Sequence, residues 1–252
     1  MTLARRLFDA HFHIIDPRFP LVPNNGYLPE AFTVADYRMR VDPLDITGGA
    51  VVSGSFQAFD QSYLKDALAQ LGPGFVGVTQ IRGDSTDDEI LTLDRSGVRA
   101  VRFNLYRGGS ATLDDVDSLA RRVHEVAGWH CEFYLDAADL TELEPLLTAL
   151  PQISIDHLAM SDDTGGVLLR LVESGAVVKA TGFGRISVTD PDALMRDIVT
   201  ANPAALVFGS DLPSTRAAIP FQDSDIARIA DAVGADHVDA VLAANARNLY
   251  RL

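Results

Sequence analysis

Two histidines one residue apart, His11 and His13, sit near the start of the chain in LFDAHFHIID. On a β-strand, side chains two apart share a face, so both imidazoles would project the same way. Such a pair can grip a divalent metal or polarise a carbonyl oxygen, and it can equally do no more than solvate a strand end. A third imidazole, His157, follows Asp156 in ISIDHLA, and Asp211 lies in VFGSDLP. Each has an ordinary alternative. His157 could be a capped loop residue and Asp211 a turn cap, while Asp156 could cap a loop or orient a neighbouring histidine. Together, three imidazoles and one carboxylate form an adequate donor set for a single divalent metal, with room for water.

A second group of residues could bind an anion. The stretch VRAVRFNLY alternates, with Val101, Phe103 and Leu105 on one face and Arg102 and Asn104 on the other. An inward arginine is costly unless paired. It could pair with a structural carboxylate such as Glu132, or wait for an anionic ligand that its guanidinium would hold through two parallel hydrogen bonds. Arg107 and Arg185 lie just past strands four and seven and could join that pocket. Ser55 and Thr181, at strand ends, could donate further hydrogen bonds or satisfy backbone. Tyr27 and Tyr134 could touch substrate or simply pack.

These residues need a frame, and the chain supplies a repeating one of strand, loop and helix. Strands are expected from Leu7 to near Ile15, then at Gly48–Ser55, Phe75–Ile81, Val98–Tyr106, His130–Asp136, Ile153–His157, Ala176–Gly182 and Leu206–Asp211. Helices are expected between them, including Ser62–Leu71, Leu113–Ala127 and Asp139–Leu150, where apolar residues recur at helical spacing. DSTDDEILTLDRSG reads as a helix with an acidic first turn and a glycine stop. The tail from Ser224 holds one or two alanine-rich helices. The segment Asp16–Gly48, rich in Pro, Asn and Gly, reads as a long functional loop that covers the pocket or meets another subunit, with a short helix near Thr33–Arg40. Eight strands separated by helices predict a (β/α)8 TIM barrel, with a doubly wound open sheet as the competitor. In such a barrel, chemistry sits where strands end. No composition shift divides the chain, so residues 1–252 read as one domain.

The chain has 252 residues, 47% of them hydrophobic, enough for a sizeable core. A net charge of −14 argues against nucleic acid and anionic membrane surfaces as partners. No apolar run approaches a membrane span, and MTLARRLFDAH lacks the apolar segment of a leader, so a cytoplasmic location is expected. The single cysteine, Cys131, lies in an apolar run and suits packing. There is no Gly-rich phosphate-binding fingerprint. The remaining histidines, His124, His130 and His237, look ordinary. The oligomeric state is left open, a homo-oligomer included.

DAHFHI, IDHLA and FGSDLP, at strands one, six and eight, resemble the amidohydrolase superfamily. VRAVRFNLY, IDHLA, VKATGFGRIS and VFGSDLPSTR make the chain similar, over nearly its whole length, to the branch containing 2-pyrone-4,6-dicarboxylate lactonase and related lactone hydrolases. The resemblance implies hydrolysis of a C–O or C–N bond on a (β/α)8 barrel. It implies Asp211 as the general base and His11, His13 and His157, with Asp211, as holders of one divalent metal, zinc before others, or as metal-free polarisers of the scissile carbonyl. It also implies that Arg102, Arg107 and Arg185, with Ser55 and Asn104, hold substrate carboxylates. Many superfamily members place a carboxylated lysine or a glutamate on strand four and a histidine on strand five. Here Arg102, Asn104 and Tyr134 stand on those strands, which argues against a two-metal centre. Two rival readings remain: metal-dependent, non-oxidative decarboxylation at the same site, and a non-catalytic barrel that binds small acids.

Overall fold

The computed structural model describes residues 6–164 and 166–252. The expectation of no leader rests partly on residues 1–5, which lie outside the described ones. Eight strands alternate with helices: β1 Leu7–Phe12, β2 Ile46–Val52, β3 Phe75–Thr79, β4 Val98–Asn104, β5 His130–Tyr134, β6 Ile153–Ile155, β7 Val177–Ala180 and β8 Leu206–Phe208. The helices are α1 Val34–Val41, α2 Ser62–Leu71, α3 Asp87–Arg95, α4 Leu113–Ala127, α5 Leu140–Ala149, α6 Val167–Glu173, α7 Pro191–Ala201, α8 Ser224–Val233 and α9 Asn245–Tyr250. Local chemistry sets their limits. Thr33, Thr86 and Thr112 open α1, α3 and α4, each in reciprocal hydrogen bonding with an acid three residues on. Gly128 ends α4 in a left-handed conformation that a glycine adopts without strain. Along α4, Val116, Leu119, Ala120 and Val123 are buried at the spacing of one helix face.

All neighbouring strands pair in parallel, in the order β1 to β8. The seam between β8 and β1 is tied just past the strand ends. There the Asp211 amide donates to His11 O at 2.7 Å, and the His13 amide donates to Leu212 O at 2.7 Å. The fold is therefore a (β/α)8 TIM barrel, and the open-sheet alternative falls. Its lower interior is apolar, with Phe8, Ala10, Val52, Val76, Val78 and Val207 packed together, and Ala246, Leu249 and Tyr250 of α9 closing the N-terminal end. The space between barrel and helices is filled by the opposite strand faces, Val101 and Phe103 among them. Cys131 is buried in that layer. Among the described residues, no helix is long and apolar enough to cross a membrane.

Several strands stop earlier than the sequence pattern suggests. β1 ends at Phe12, β6 at Ile155 and β8 at Phe208, so His13, His157 and Asp211 stand on the loops just beyond. The backbone explains two of these. His157, Leu158, Ala159 and Met160 run left-handed at φ 53°, 49°, 60° and 73°, and Asp211 has φ 58°. Left-handed residues cannot continue a β ladder, and in non-glycine residues they cost about 1–2 kcal/mol each and gather at functional sites. The segment Asp16–Gly48 is more ordered than a loop reading suggests. It holds α1, a bridge between Ile15 and Phe32, a tight turn between Asn24 and Tyr27, and the start of β2. Asn24 reaches the barrel mouth, where its Nδ2 donates to Arg107 O at 3.2 Å.

Candidate active site

Above the apolar floor the barrel carries a layer of buried charge. β4 and β5 pair with Arg102 beside Glu132, but Arg102 takes a different carboxylate from the Glu132 alternative. Glu132 is taken by Lys179 of β7, at 2.5 Å, and by the Tyr250 hydroxyl, which donates to it at 2.5 Å. Arg102 instead grips Asp156, with Nε at 3.2 Å and Nη2 at 2.8 Å from Oδ2, and donates from Nη1 to Ser53 O at 2.8 Å. Lys179 was not singled out in the sequence. Its signal was there: in β7 it shares the inward face with Val177, and a charge inside an apolar strand must find a partner.

The expected cluster forms on this layer. Three imidazole edges converge on one carboxylate oxygen: Nε2 of His13 lies 3.5 Å, of His11 3.7 Å and of His157 4.0 Å from Asp211 Oδ1. The Nδ1 atoms are engaged behind them. His13 Nδ1 is 2.7 Å from Val52 O, His157 Nδ1 is 2.7 Å from Thr181 Oγ1, and His11 Nδ1 lies near Asp156 and Lys179. Asp211 Oδ2 is ion-paired with Arg185 Nη2 at 2.6 Å. All of these groups are buried.

Burial pushes His11 down to about 4, against the opposing pull of Asp156, and burial also holds His157 well below its ordinary value. Both are neutral near pH 7. For Asp211, burial raises the pKa, but Arg185 and the imidazoles overcome it and hold the carboxyl below the usual range. Asp156 is likewise held low, since burial is outweighed by His11, Lys179 and Arg102.

A cation fits this donor set. A backbone carbonyl only accepts, so an imidazole with one proton keeps it on Nδ1 toward Val52 O and turns a lone pair at Nε2 toward a carboxylate oxygen. Two electron-rich atoms held face to face call for something positive between them. Nε2 of His11 and His157 and Oδ1 of Asp211 also lack a hydrogen-bond partner. The 3.5–4.0 Å separations approach the roughly 3.3 Å edge of a tetrahedron with 2.0–2.1 Å zinc bonds. His11, His13 and Asp211, or His11, Asp156 and His157, could hold a metal ion.

The cluster opens toward a small, narrow cavity of about 20 Å³ lined by His13, Ser55, Phe56, Arg102, Asn104, Arg107, Tyr134, Arg185 and Arg216. Ser55, Arg102, Asn104, Arg107, Arg185 and Tyr134 all line this one cavity. The Tyr134 hydroxyl is buried there without a partner. Asn104 also has a structural task, because its Oδ1 accepts from the Arg107 amide at 3.0 Å. Tyr27 does not line the cavity; its ring lies under the Arg216 guanidinium, 4.3 Å from ring centroid to Cζ. Arg216, on the loop after β8, is a second residue that sequence reasoning missed. Nothing in STRAAIP marks it, since only the loop path carries it back over the barrel mouth.

Histidines at and just past the ends of β1 and β6 and an aspartate past β8 thus gather at the C-terminal end of a parallel barrel, where barrel enzymes carry their chemistry. The chain belongs to the amidohydrolase family, whose sequence profile matches residues 8–252. It is 30% identical over 233 residues to a 2-pyrone-4,6-dicarboxylate hydrolase of Comamonas testosteroni, covering 81% of this chain and 76% of that protein. Solved structures share the fold. An apo protein of Agrobacterium tumefaciens superposes with a TM-score of 0.87 at 22% identity, over 98% of this chain and 96% of its own. A protein of Acinetobacter baumannii described as a probable 2-pyrone-4,6-dicarboxylic acid hydrolase, with citric acid bound, gives 0.84 at 22% identity, over 98% and 99%. The chain is therefore an amidohydrolase-type hydrolase related to 2-pyrone-4,6-dicarboxylate hydrolase.

Proposed function

We propose that this enzyme opens the ring of a lactone carrying one or more carboxylates. The observation that carries the reading is a single carboxylate oxygen, Asp211 Oδ1, free of hydrogen bonds, ringed by three imidazoles and set below a cavity lined by four arginines. Substrate carboxylates meet Arg107 and Arg216 at the mouth and draw Arg185 toward the ligand. Asp211, losing part of its guanidinium partner, becomes a stronger base and takes a proton from water as it attacks the ring carbonyl. An imidazole N–H polarises the carbonyl oxygen as negative charge develops there. Asp211 then returns the proton to the leaving ring oxygen. A divalent cation held by His11, His13, His157 and Asp211 would polarise the carbonyl and lower the pKa of its water. The relationship to 2-pyrone-4,6-dicarboxylate hydrolase and the citrate in the Acinetobacter protein support an anionic ligand.

The test is a panel of lactones with two, one and no carboxylates, assayed by loss of ring absorbance. Each is run before and after dialysis against a chelator, with metal content measured in parallel. Dicarboxylated rings should open fastest and uncharged rings hardly at all. Failure to open any lactone with or without zinc, accompanied by CO2 release from an aromatic or unsaturated acid, would replace this reading with decarboxylation.

A further inference from the structure

His11 is served at Nδ1 by two groups with opposite demands. Asp156 Oδ1 lies 3.2 Å away, Lys179 Nζ lies 3.3 Å away, and those two are 3.4 Å apart. A carboxylate only accepts and an ammonium only donates, while an uncharged imidazole has one N–H to place on either nitrogen. With the proton on Nδ1, His11 donates to Asp156 and turns a lone pair toward Asp211 Oδ1, 3.7 Å from Nε2. With the proton on Nε2, Nδ1 accepts from Lys179 and His11 offers an N–H to the reaction space. His13 has no such choice, because Val52 O can only accept.

The geometry favours the lysine. The Lys179–His11 contact is aligned as a hydrogen bond, whereas Asp156 Oδ1 sits as an ion-pair partner between His11 and Lys179. Asp156 is held from its other oxygen by Arg102, and Lys179 is anchored by Glu132 at 2.5 Å. We propose that Lys179 is a positioning residue that fixes the Nε2–H tautomer of metal-free His11, making this imidazole a hydrogen-bond donor into the site and requiring any cation bound at Nε2 to displace that proton. The proposal does not depend on which substrate the enzyme takes.

The test reads the tautomer directly, by 15N NMR of histidine-labelled protein, with His11 assigned by comparison with His11→Gln. The variant is Glu132→Gln combined with Lys179→Met. Lys179→Met alone would leave Glu132 buried and unpaired, whereas the double change removes both charges and barely alters the net field. The wild type should carry the His11 proton on Nε2, and the double variant should carry it on Nδ1. Zinc titrated into the metal-free double variant should bind about tenfold or more tighter than to the wild type, the scale on which groups behind a ligand tune affinity. A wild-type Nδ1–H resonance overturns the proposal even if the variant fails to fold. An unchanged tautomer or unchanged zinc affinity in a folded variant overturns it as well.

Discussion

Replacing Asp211 by asparagine separates its two tasks. Asparagine nearly keeps the shape but cannot take a proton, and a general base contributes about 10²–10⁴ in rate. At about 1.4 kcal/mol per factor of ten, that is a barrier increase of about 3–5 kcal/mol. The same change deprives Arg185 of the carboxylate 2.6 Å away, in a pair that is buried on both sides. Removing one partner of a buried ion pair costs about 3–5 kcal/mol of stability. At roughly 2–4 °C per kcal/mol for a chain of this size, the melting temperature should fall by about 6–20 °C. Arg185, still beside the cavity, would then be free to meet an anion. Asp211→Asn should therefore lower kcat at least about a hundredfold while KM for a carboxylated lactone stays level or falls. Steady-state kinetics by ring absorbance, with thermal melts by circular dichroism, read both effects. A kcat within tenfold of wild type, or a large rise in KM with kcat preserved, would refute the base assignment.

Two further predictions follow from the wiring around the cluster. Arg216→Ala removes a guanidinium held at the mouth by Asn24 O at 2.6 Å, so KM for dicarboxylated substrate should rise about 10–100-fold with kcat nearly unchanged; an unchanged KM would remove Arg216 from the binding set. Acid should destabilise the fold before any carboxylate of the ordinary range titrates. Burial lowers His11 from 6.5 to about 4 and also lowers His130 and His157, so the unfolded chain takes up protons that the native state refuses. Their contribution is complete above pH 6.5 and is lost as the pH falls toward 4, about 3 kcal/mol for His11 alone. Asp9 acts oppositely, because burial raises it from 3.8 to about 6 and it gains its proton first in the folded state. Burial also raises Asp225, but three imidazoles outweigh the two carboxyls, so the urea midpoint should drop between pH 7 and pH 5, and a midpoint that holds or rises would overturn this balance.

Much of the frame was legible because it is periodic. The 3.6-residue repeat bounds α2 and α4, and the two-residue alternation puts Arg102 inside and Val101 and Phe103 outside. The cluster was legible because barrel chemistry gathers at strand ends, so His11, His157 and Asp211 could be singled out from position alone. Pairing was not legible. Glu132 adjoins Arg102 in the ladder yet bonds to Lys179, since closure of the barrel brings β7 across to β5. The strand ends were misjudged for a local reason. The left-handed turns at His157 and Asp211 are made without glycine, so no residue type announces them.

The interior ion pairs limit where the anionic substrate proposed above could be held. Glu132 is matched by Lys179, Asp156 by Arg102 and Asp211 by Arg185, so the buried charges of this layer cancel. Adding a substrate carboxylate to that layer would leave a negative charge uncompensated in a poorly solvated place. Among the described residues, the cavity-lining guanidiniums without a carboxylate partner are Arg107 and Arg216, both at the mouth. Arg107 rests on the rings of Tyr106 and Tyr134, and Arg216 on Tyr27. On the proposed reading, the acid groups bind and water is activated at different depths of the barrel. Arg185 is the side chain that spans them, since it touches Asp211 below and lines the cavity above. Under the proposed mechanism, an anion that drew Arg185 upward would weaken the pair that keeps Asp211 a feeble base, so binding the acid group and strengthening the base would become one event.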